Sequence, residues 1–184
     1  MKIKQGLMAM MLSAGVTVSA YAEESRWYIG MTGGAMLFKE NMDVGGGATA
    51  SPEVATNIGL MGGYLWSVTR MGSLAVEGEF TDTASRGNYS LQGVDGTVAV
   101  QTLALYGAYR SPGAIYLKVK AGALNEKLTI ARGYSSRVST SDLRAAAGVG
   151  GGFDFGTKPG GSSLEIEYTV IEENVNFVSA TYRF

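Results

Sequence analysis

Apolar and polar residues alternate with a period of two along eight segments of the chain, and none of these segments keeps a helical period. Such alternation is typical of β-strands with one apolar and one polar face. The last segment shows it most clearly. Its apolar face holds Val178, Tyr182 and Phe184, and Thr181 and Arg183 lie on the opposite face. The predicted strands cover residues 26–38, 55–68, 73–81, 98–110, 114–124, 143–155, 163–171 and 174–184.

The connections between the predicted strands differ in length according to their order. Those after the second, fourth and sixth strands are tight and rich in glycine, at residues 69–72, 111–113 and 156–161. Those after the first, third and fifth strands are long and polar, at residues 39–54, 82–97 and 125–142. Short turns on one side and longer loops on the other are typical of outer-membrane barrels. The predicted fold class is all-β, an eight-stranded antiparallel up-and-down transmembrane β-barrel.

The length of the predicted strands agrees with this fold. A strand of about nine residues is roughly 30 Å long at about 3.3 Å per residue. With a tilt near 40°, it spans roughly 23 Å, which is close to the apolar band of about 25 Å in such barrels. An eight-stranded barrel leaves an interior just wide enough to be filled by side chains.

The start of the chain predicts export. Lys2 and Lys4 precede an apolar run over residues 7–18, and Ala20 and Ala22 form an A-x-A cleavage site. This is the layout of a secretory signal peptide, and its apolar part is too short to span a membrane as a helix. We therefore predict that residues 1–22 are a cleaved signal peptide and that residues 23–184 form the barrel domain.

Composition narrows the function. The chain has 184 residues, no cysteine and no histidine, and without Lys2 and Lys4 it carries 13 basic and 16 acidic residues. This balance gives no support for nucleic-acid binding. The absence of histidine removes histidine-dependent nucleophile–base arrangements and most zinc sites. We expect no catalytic residue, no metal, no cofactor and no enzymatic activity.

The inward faces of the predicted strands carry charged side chains. An unpaired charge inside so narrow a barrel is very costly, so these side chains must pair. Arg144 and Arg183 lie on the strands that flank Glu165 and Glu167, which makes cross-strand ion pairs plausible. The set has two interpretations, a structural salt-bridge plug or the lining of a narrow ion path. Its members are Glu77, Glu79, Lys118, Lys120, Arg144, Asp154, Glu165, Glu167 and Arg183.

Several aromatic residues fall near strand ends beside the short turns, where a membrane-interface girdle is expected. They are Tyr64, Trp66, Tyr109, Phe153, Phe155, Tyr182 and Phe184. The glycine run at 148–152 does not fit a phosphate-binding loop, because Phe153 interrupts the motif and the alternation continues as a strand. These glycines are expected to allow close packing in a sharply curved barrel wall.

The third long loop is basic. It contains Lys127, Arg132, Tyr134 and Arg137, with no acidic residue between Lys127 and Ser141. Basic side chains just outside the outer leaflet could contact lipopolysaccharide phosphates. The alternative is an ordinary solvated loop.

The chain resembles the small eight-stranded outer-membrane barrels of Gram-negative bacteria, the OmpA/OmpX-like group often called the porin family. The resemblance covers residues 23–184 and is carried by the signal peptide, the opening residues 27–30, the turn at 109–113 and the final residues 180–184. In that group the barrel assembly machinery reads the terminal aromatic strand, which implies an assembly signal at Tyr182 and Phe184. In contrast to OmpA, we expect no peptidoglycan-binding domain after the predicted barrel.

These observations predict a non-enzymatic integral outer-membrane protein with a structural or cell-surface interaction role. One alternative is a narrow pore for ions or small solutes. Another is a soluble lipocalin-like lipid-binding barrel, which would need an apolar interior and a polar exterior. The expected partners are outer-membrane lipid, lipopolysaccharide and, during biogenesis, the barrel assembly machinery. We expect a monomer.

Overall fold

The computed structural model describes residues 22–38, 42–43, 49–50, 53–68, 71–91, 94–132, 136–155, 162–171 and 175–184. Almost all of these residues lie in strands. The strands are β1 (Ala22–Phe38), β2 (Met42–Asp43), β3 (Thr49–Ala50), β4 (Ala55–Val68), β5 (Gly72–Ser85), β6 (Gly87–Leu91), β7 (Val94–Arg110), β8 (Ile115–Arg132), β9 (Ser136–Asp154), β10 (Ser163–Ile171) and β11 (Val175–Arg183). Residues 1–21 lie outside the described residues, so cleavage of the signal peptide stays a prediction.

Eight of these strands form a closed antiparallel barrel. Neighbouring strands pair in the order β5, β4, β1, β11, β10, β9, β8 and β7, and β5 pairs with β7 to complete the circle. Each strand therefore has a hydrogen-bonded neighbour on both sides around the ring, so the barrel itself has no sheet edge. The predicted eight-stranded antiparallel fold is confirmed. The bounds of β4 and β10 match the prediction.

The closing seam lies between the first and last strands. Gly30 pairs with Arg183 at one end of the seam, and Phe38 pairs with Val175 at the other. Beyond Arg183, Phe184 exchanges two backbone hydrogen bonds with Ile29, at 3.0 and 3.4 Å. The seam therefore starts at Ile29 and runs along the second half of β1.

Two of the predicted long loops are wrong, because most of their residues continue the strands. The predicted loop at 82–97 contains the end of β5, the whole of β6 and the start of β7. The predicted loop at 125–142 contains the ends of β8 and β9, which pair as far as Arg132 and Ser136. Outside a membrane both faces of a strand can be polar, so the apolar alternation fades while backbone pairing continues.

The two ends of the barrel differ. At the turn end, Pro112 and Gly113 connect β7 to β8, and Gly72 starts β5. Gly72 and Gly113 have φ values of 99° and 112°, which side chains with a Cβ rarely adopt. At the opposite end, here called the hairpin end, β6 pairs with β7 and β8 continues with β9. The small pair of β2 and β3 belongs to the predicted first loop.

The faces of the strands agree with the predicted alternation. Large apolar side chains such as Ile58, Leu60, Leu117 and Ile166 point outward and are about 60–69% exposed. Polar and charged side chains alternate with them and point into the barrel. This is the reverse of the arrangement that a lipocalin-like barrel would need. Among the described residues, no helix is long and apolar enough to cross a membrane.

Candidate functional site: the interior charge network

Lys118 on β8 is the centre of the interior charges near the turn end. Its Nζ lies 2.9 Å from Glu77 Oε2, 2.8 Å from Glu165 Oε2 and 2.7 Å from Glu167 Oε1. The side chains of Lys118, Glu77 and Glu165 are at most 1% exposed. The ammonium group donates hydrogen bonds to Glu165 and Glu167, and its contact with Glu77 is an ion pair.

Arg110, which lies nearer the turn end, contacts two of the carboxylates that Lys118 also contacts. It forms an ion pair with Glu77, and its Nε donates to Glu165 Oε1 at 3.0 Å. The Tyr28 hydroxyl donates to Glu77 Oε1 at 2.6 Å, and the Arg110 guanidinium lies 5.1 Å from the centre of the Tyr28 ring. Tyr116 donates to Glu165 at 2.6 Å. Both carboxylates are thus bound by cations and by hydroxyl groups.

Lys120 extends the network toward the hairpin end. Its Nζ lies 2.8 Å from Glu167 Oε2 and 3.2 Å from Glu79 Oε2. It also lies 4.4 Å from the centre of the Tyr106 ring, a cation–π distance. Since Glu167 contacts both Lys118 and Lys120, the network is continuous along the barrel axis.

Arg183 on the last strand closes the network at the turn end. Its Nε donates to Ser163 Oγ at 2.8 Å and lies 3.7 Å from Glu165 Oε1. Its Nη2 lies 3.3 Å from Asp154 Oδ1. Arg183 therefore contacts Glu165, as its place beside β10 led us to expect.

Arg144 does not belong to this network, so its predicted pairing with Glu165 or Glu167 is wrong. The residues of β9 opposite Glu165 and Glu167 are Gly152 and Gly150. Arg144 lies further toward the hairpin end, beyond the last pair of β9 with β10. Its Nε lies 3.1 Å from Glu126 Oε2 and its Nη2 lies 3.6 Å from Asp142 Oδ2.

The sequence interpretation missed several members of the interior set. Arg110 was the last residue of the predicted fourth strand and was left out of the interior set, although it lies two residues after the inward Ala108. Extending the period of two by one step would have found it. Glu126 was placed in a loop and is buried at 5% exposure. Tyr28, Tyr106 and Tyr116 were missed because an aromatic residue can face either lipid or a polar interior.

Glycines on the inner face of β9 make room for the network. The ring of Tyr116 lies where a Cβ on Gly152 would be. A Cβ on Gly150 would lie 2.8 Å from Glu167 Cγ, and one on Gly148 would lie 3.1 Å from Lys120 Cε. The predicted close packing at this glycine run is confirmed. Network side chains pass over the strand, and at Gly150 the backbone carbonyl oxygen of Ile166 is also close.

Hydroxyl and apolar layers cover the network on its hairpin side. Thr181 donates to Thr32 at 2.9 Å, and the hydroxyls of Thr81 and Thr102 lie 2.8 Å apart. Beyond them lies an apolar cluster whose side chains point into the barrel. Its buried members include Met36, Val98, Val100, Leu124, Val175 and Phe177. The interior is thus ionic near the turn end and apolar toward the hairpin end.

This arrangement holds charges but offers little for chemistry. Every carboxylate in the network contacts at least one cation, and the central ones are inaccessible to water. Among the described residues, no group of three or more metal-ligating side chains could hold a metal ion. This geometry favours a structural salt-bridge plug over the lining of an ion path.

The predicted girdle residues line the outer surface near the turn end. Trp27, Tyr64 and Trp66 form edge-to-face contacts at 4.9 and 4.8 Å between ring centres. Two further contacting pairs on the same surface are Phe153 with Phe155 and Tyr182 with Phe184. Tyr109 donates to the carbonyl of Met71 at 2.6 Å. The role of Tyr182 and Phe184 in assembly stays a prediction.

The predicted lipopolysaccharide contacts fall within the β8–β9 hairpin. Lys127 is exposed and pairs with Ser141. Ser141 lies on the outer face of β9, two residues from the apolar Leu143 toward the hairpin end. The side chains of Arg132 and Arg137 lie outside the described residues, and so does Tyr134. Contact with lipopolysaccharide stays a prediction.

Comparison with known proteins agrees with this geometry. The family model described as "Outer membrane protein beta-barrel domain" matches residues 7–184. No curated protein sequence matches the chain significantly. Similar solved structures are those of small outer-membrane barrels, and at identities of 10–18% the likeness shows the fold alone.

Three of these structures illustrate the likeness. Neisserial surface protein A has a TM-score of 0.60 at 10% identity, covering 88% of this chain and 98% of that chain. The N-terminal β-barrel domain of Pseudomonas aeruginosa OprF has a TM-score of 0.54 at 13% identity, covering 88% and 98%. Yersinia pestis Ail, the attachment invasion locus protein, was solved with the heparin analogue sucrose octasulfate. It has a TM-score of 0.52 at 18% identity, covering 88% and 99%.

Proposed function

The chain belongs to the outer-membrane β-barrel domain family, and on that premise we propose that it is a non-enzymatic protein of the bacterial outer membrane that acts at the cell surface. In this proposal a cleaved signal peptide directs export, the turn end faces the periplasm and the hairpin end faces outside. The barrel is the membrane anchor, and the hairpins are the interaction surface.

The closed interior is the observation that carries this proposal. Side chains that line a water-filled channel are exposed to water, whereas Lys118, Glu165 and Arg183 are 0–2% exposed. The apolar cluster adds a second barrier, because an ion crossing it would lose its hydration without finding polar partners. Both features support an anchor that does not conduct.

The lengths of the strands at the hairpin end support a role outside the membrane. Strands β7, β8 and β9 have 17, 18 and 19 residues, about twice the roughly nine that span the apolar band. On the outer face of β9 the large apolar residues run from Leu143 to Phe153, and the exposed Ser139 and Ser141 lie beyond them. The additional length therefore forms a sheet that projects beyond the membrane.

A lack of enzymatic activity is supported by residue chemistry. The chain has no histidine, which is the commonest general base in enzymes, and no cysteine, whose thiol is a strong nucleophile. The buried carboxylates are held by ion pairs, as the contacts of Glu77 and Glu165 illustrate. A carboxylate held in this way is stabilised as a fixed anion and is poorly placed to exchange protons with a substrate.

A narrow pore is the second candidate, and a planar-bilayer recording separates the two. The purified refolded barrel should give no steady unitary currents, because its interior is closed by both layers. Steady currents that change in the Lys118→Met or Glu77→Gln variant, and stay unchanged in Lys127→Met on the outer surface, would overturn the closed-anchor proposal. Recovery of the mature protein from the soluble periplasmic fraction would overturn the membrane location and favour the lipocalin-like alternative.

A further inference from the structure

A polar cavity of about 680 Å³ lies at the hairpin end, beside the hairpin of β6 and β7. Its walls come from three parts of the chain, namely the residues just before β4, both strands of this hairpin and the end of β8. None of the described residues that line it belongs to the interior charge network. The volume falls within the range of about 300–1,000 Å³ that is typical of small-molecule sites.

Backbone contacts fix the shape of this cavity. The amide of Glu53 donates to the carbonyl of Asn88 at 2.7 Å, which joins the segment before β4 to β6. Gly87 allows this approach, because a Cβ there would overlap the Glu53 carbonyl oxygen. The Tyr89 ring lies where a Cβ on Gly96 would be, and it is only 4% exposed. The cavity is therefore formed before any ligand binds.

Charged side chains of both signs line the cavity. Arg86 contributes a guanidinium, and Glu53 and Asp95 contribute carboxylates. Asn88 donates to Glu53 Oε2 at 3.4 Å, a neutral hydrogen bond that leaves the charge of the carboxylate uncompensated. Within the part of the chain that the structure describes, Arg86 and Asp95 have no ion-pair partner. The described lining thus offers one cation and two anions to a ligand.

This lining indicates which ligand chemistry is complementary to it. A guanidinium binds a carboxylate through parallel N–H donors, and a carboxylate binds an ammonium group. The hydroxyl groups of Ser90 and Thr97 can donate to and accept from further polar atoms of a ligand. An apolar ligand would leave these polar groups unpaired, and a polyanion would be repelled by the two carboxylates. The complement is a small molecule with one carboxylate and two ammonium groups.

We propose that this cavity binds a free basic amino acid of the lysine type. Its α-carboxylate would lie at Arg86, and its two ammonium groups would lie at Glu53 and Asp95. All three side chains are exposed, so each ion pair adds a modest increment and binding is reversible. This inference goes beyond the proposed function, because binding here depends neither on a closed interior nor on the orientation of the barrel.

The test measures binding of L-lysine to the refolded barrel in detergent micelles, from NMR shifts of the amides at residues 86–90 and 95–97. Three analogues of similar length each lack one charged group. Cadaverine lacks the carboxylate, ε-aminocaproate lacks the α-ammonium group and norleucine lacks the ε-ammonium group. L-lysine should bind about two- to fivefold more tightly than each analogue, the contribution of one exposed ion pair. The amides of residues 147–153 are the internal control and should not shift.

Two variants assign the charges to residues. Arg86→Gln should weaken the binding of lysine by about two- to fivefold and should not weaken that of cadaverine, which has no carboxylate. Asp95→Asn should weaken the binding of both, because both carry two ammonium groups. The matched controls are Lys127→Gln and Asp82→Asn, exposed charges outside the cavity, which should leave both affinities unchanged.

The outcomes separate this inference from the proposed function. If lysine shifts no amide at the cavity, or shifts only amides elsewhere, the site is overturned while a silent bilayer still supports the closed anchor. Equal affinities for lysine and norleucine would overturn the assigned preference for a second ammonium group. Lysine binding that is insensitive to Arg86→Gln would overturn the assigned carboxylate position. Unitary currents together with lysine binding would overturn the closed anchor and leave the cavity site standing.

Discussion

Lys118 shows how single residues stabilise this interior. Its ammonium is the shared partner of Glu77, Glu165 and Glu167, none of which is more than 3% exposed. Burying four charges is favourable only if each is closely paired, because the cost of desolvation is large. Replacing one member therefore does more than remove its contacts, since it leaves the others uncompensated.

We predict that Lys118→Met destabilises the barrel by about 3–5 kcal/mol, the cost of leaving buried charges without their partner. The measurement is the free energy of unfolding in urea in lipid vesicles. Lys127→Met, which removes the same group from the exposed outer face of the same strand, should change it by less than about 0.5 kcal/mol. Equal effects of the two substitutions would contradict the network as a source of stability.

Gly152 and Gly107 differ in what lies beside them. A Cβ on Gly152 would overlap the ring of Tyr116, whereas one on Gly107 would meet its nearest atom, the Ala121 carbonyl oxygen, at 3.9 Å. We predict that Gly152→Ala costs about 1–3 kcal/mol through overpacking. Gly107→Ala should be nearly neutral. The same urea unfolding experiment tests both, and a neutral Gly152→Ala would mean that Tyr116 moves aside without cost.

Among the elements, the seam between β1 and β11 decides whether the sheet closes. It joins strands that are far apart in the chain, and its last backbone bonds are those between Ile29 and Phe184. The strands of the projecting sheet, in contrast, are neighbours along the chain and pair locally. Closure is therefore the non-local step, and loop-closure entropy opposes it.

We predict that deletion of Phe184 lowers the amount of folded barrel in the outer membrane. The deletion removes two seam hydrogen bonds and the aromatic residue that the resemblance identifies as an assembly signal. The measurement is the heat-modifiable fraction of the protein in purified outer membranes. Phe155→Ala, which removes another exposed aromatic near the turn end, should have a smaller effect. Normal levels of the deletion variant would count against an assembly role for Phe184.

At the scale of the whole molecule, the barrel is divided into layers along its axis. Ionic groups fill the turn end, hydroxyl groups follow, an apolar cluster comes next and the sheet projects beyond it. Among the described residues, exposed large apolar side chains lie beside these interior layers, whereas Ser139 and Ser141 occupy the outer face of the projecting β9. The molecule thus combines a closed barrel with a sheet that projects from its hairpin end, and its proposed function depends on that combination.

The sequence by itself determined the strands, their faces and the barrel. Period-two alternation is a local consequence of strand geometry, and lipid requires the outward residues to be apolar. The same alternation identified Lys118, Lys120, Glu165 and Glu167 as inward residues, and continued by one step it would have identified Arg110.

Only the tertiary structure decided which charges meet and where the strands end. Pairing depends on the register between neighbouring strands, and that register sets Glu165 and Glu167 opposite glycines while Arg144 lies beyond the end of β10. The sequence pattern does not record this offset, because the faces of a strand repeat every two residues whatever the register. The sequence pattern also did not show where the strands end outside the membrane. Water can contact both faces of a strand there, so the residues no longer alternate between apolar and polar while backbone pairing continues.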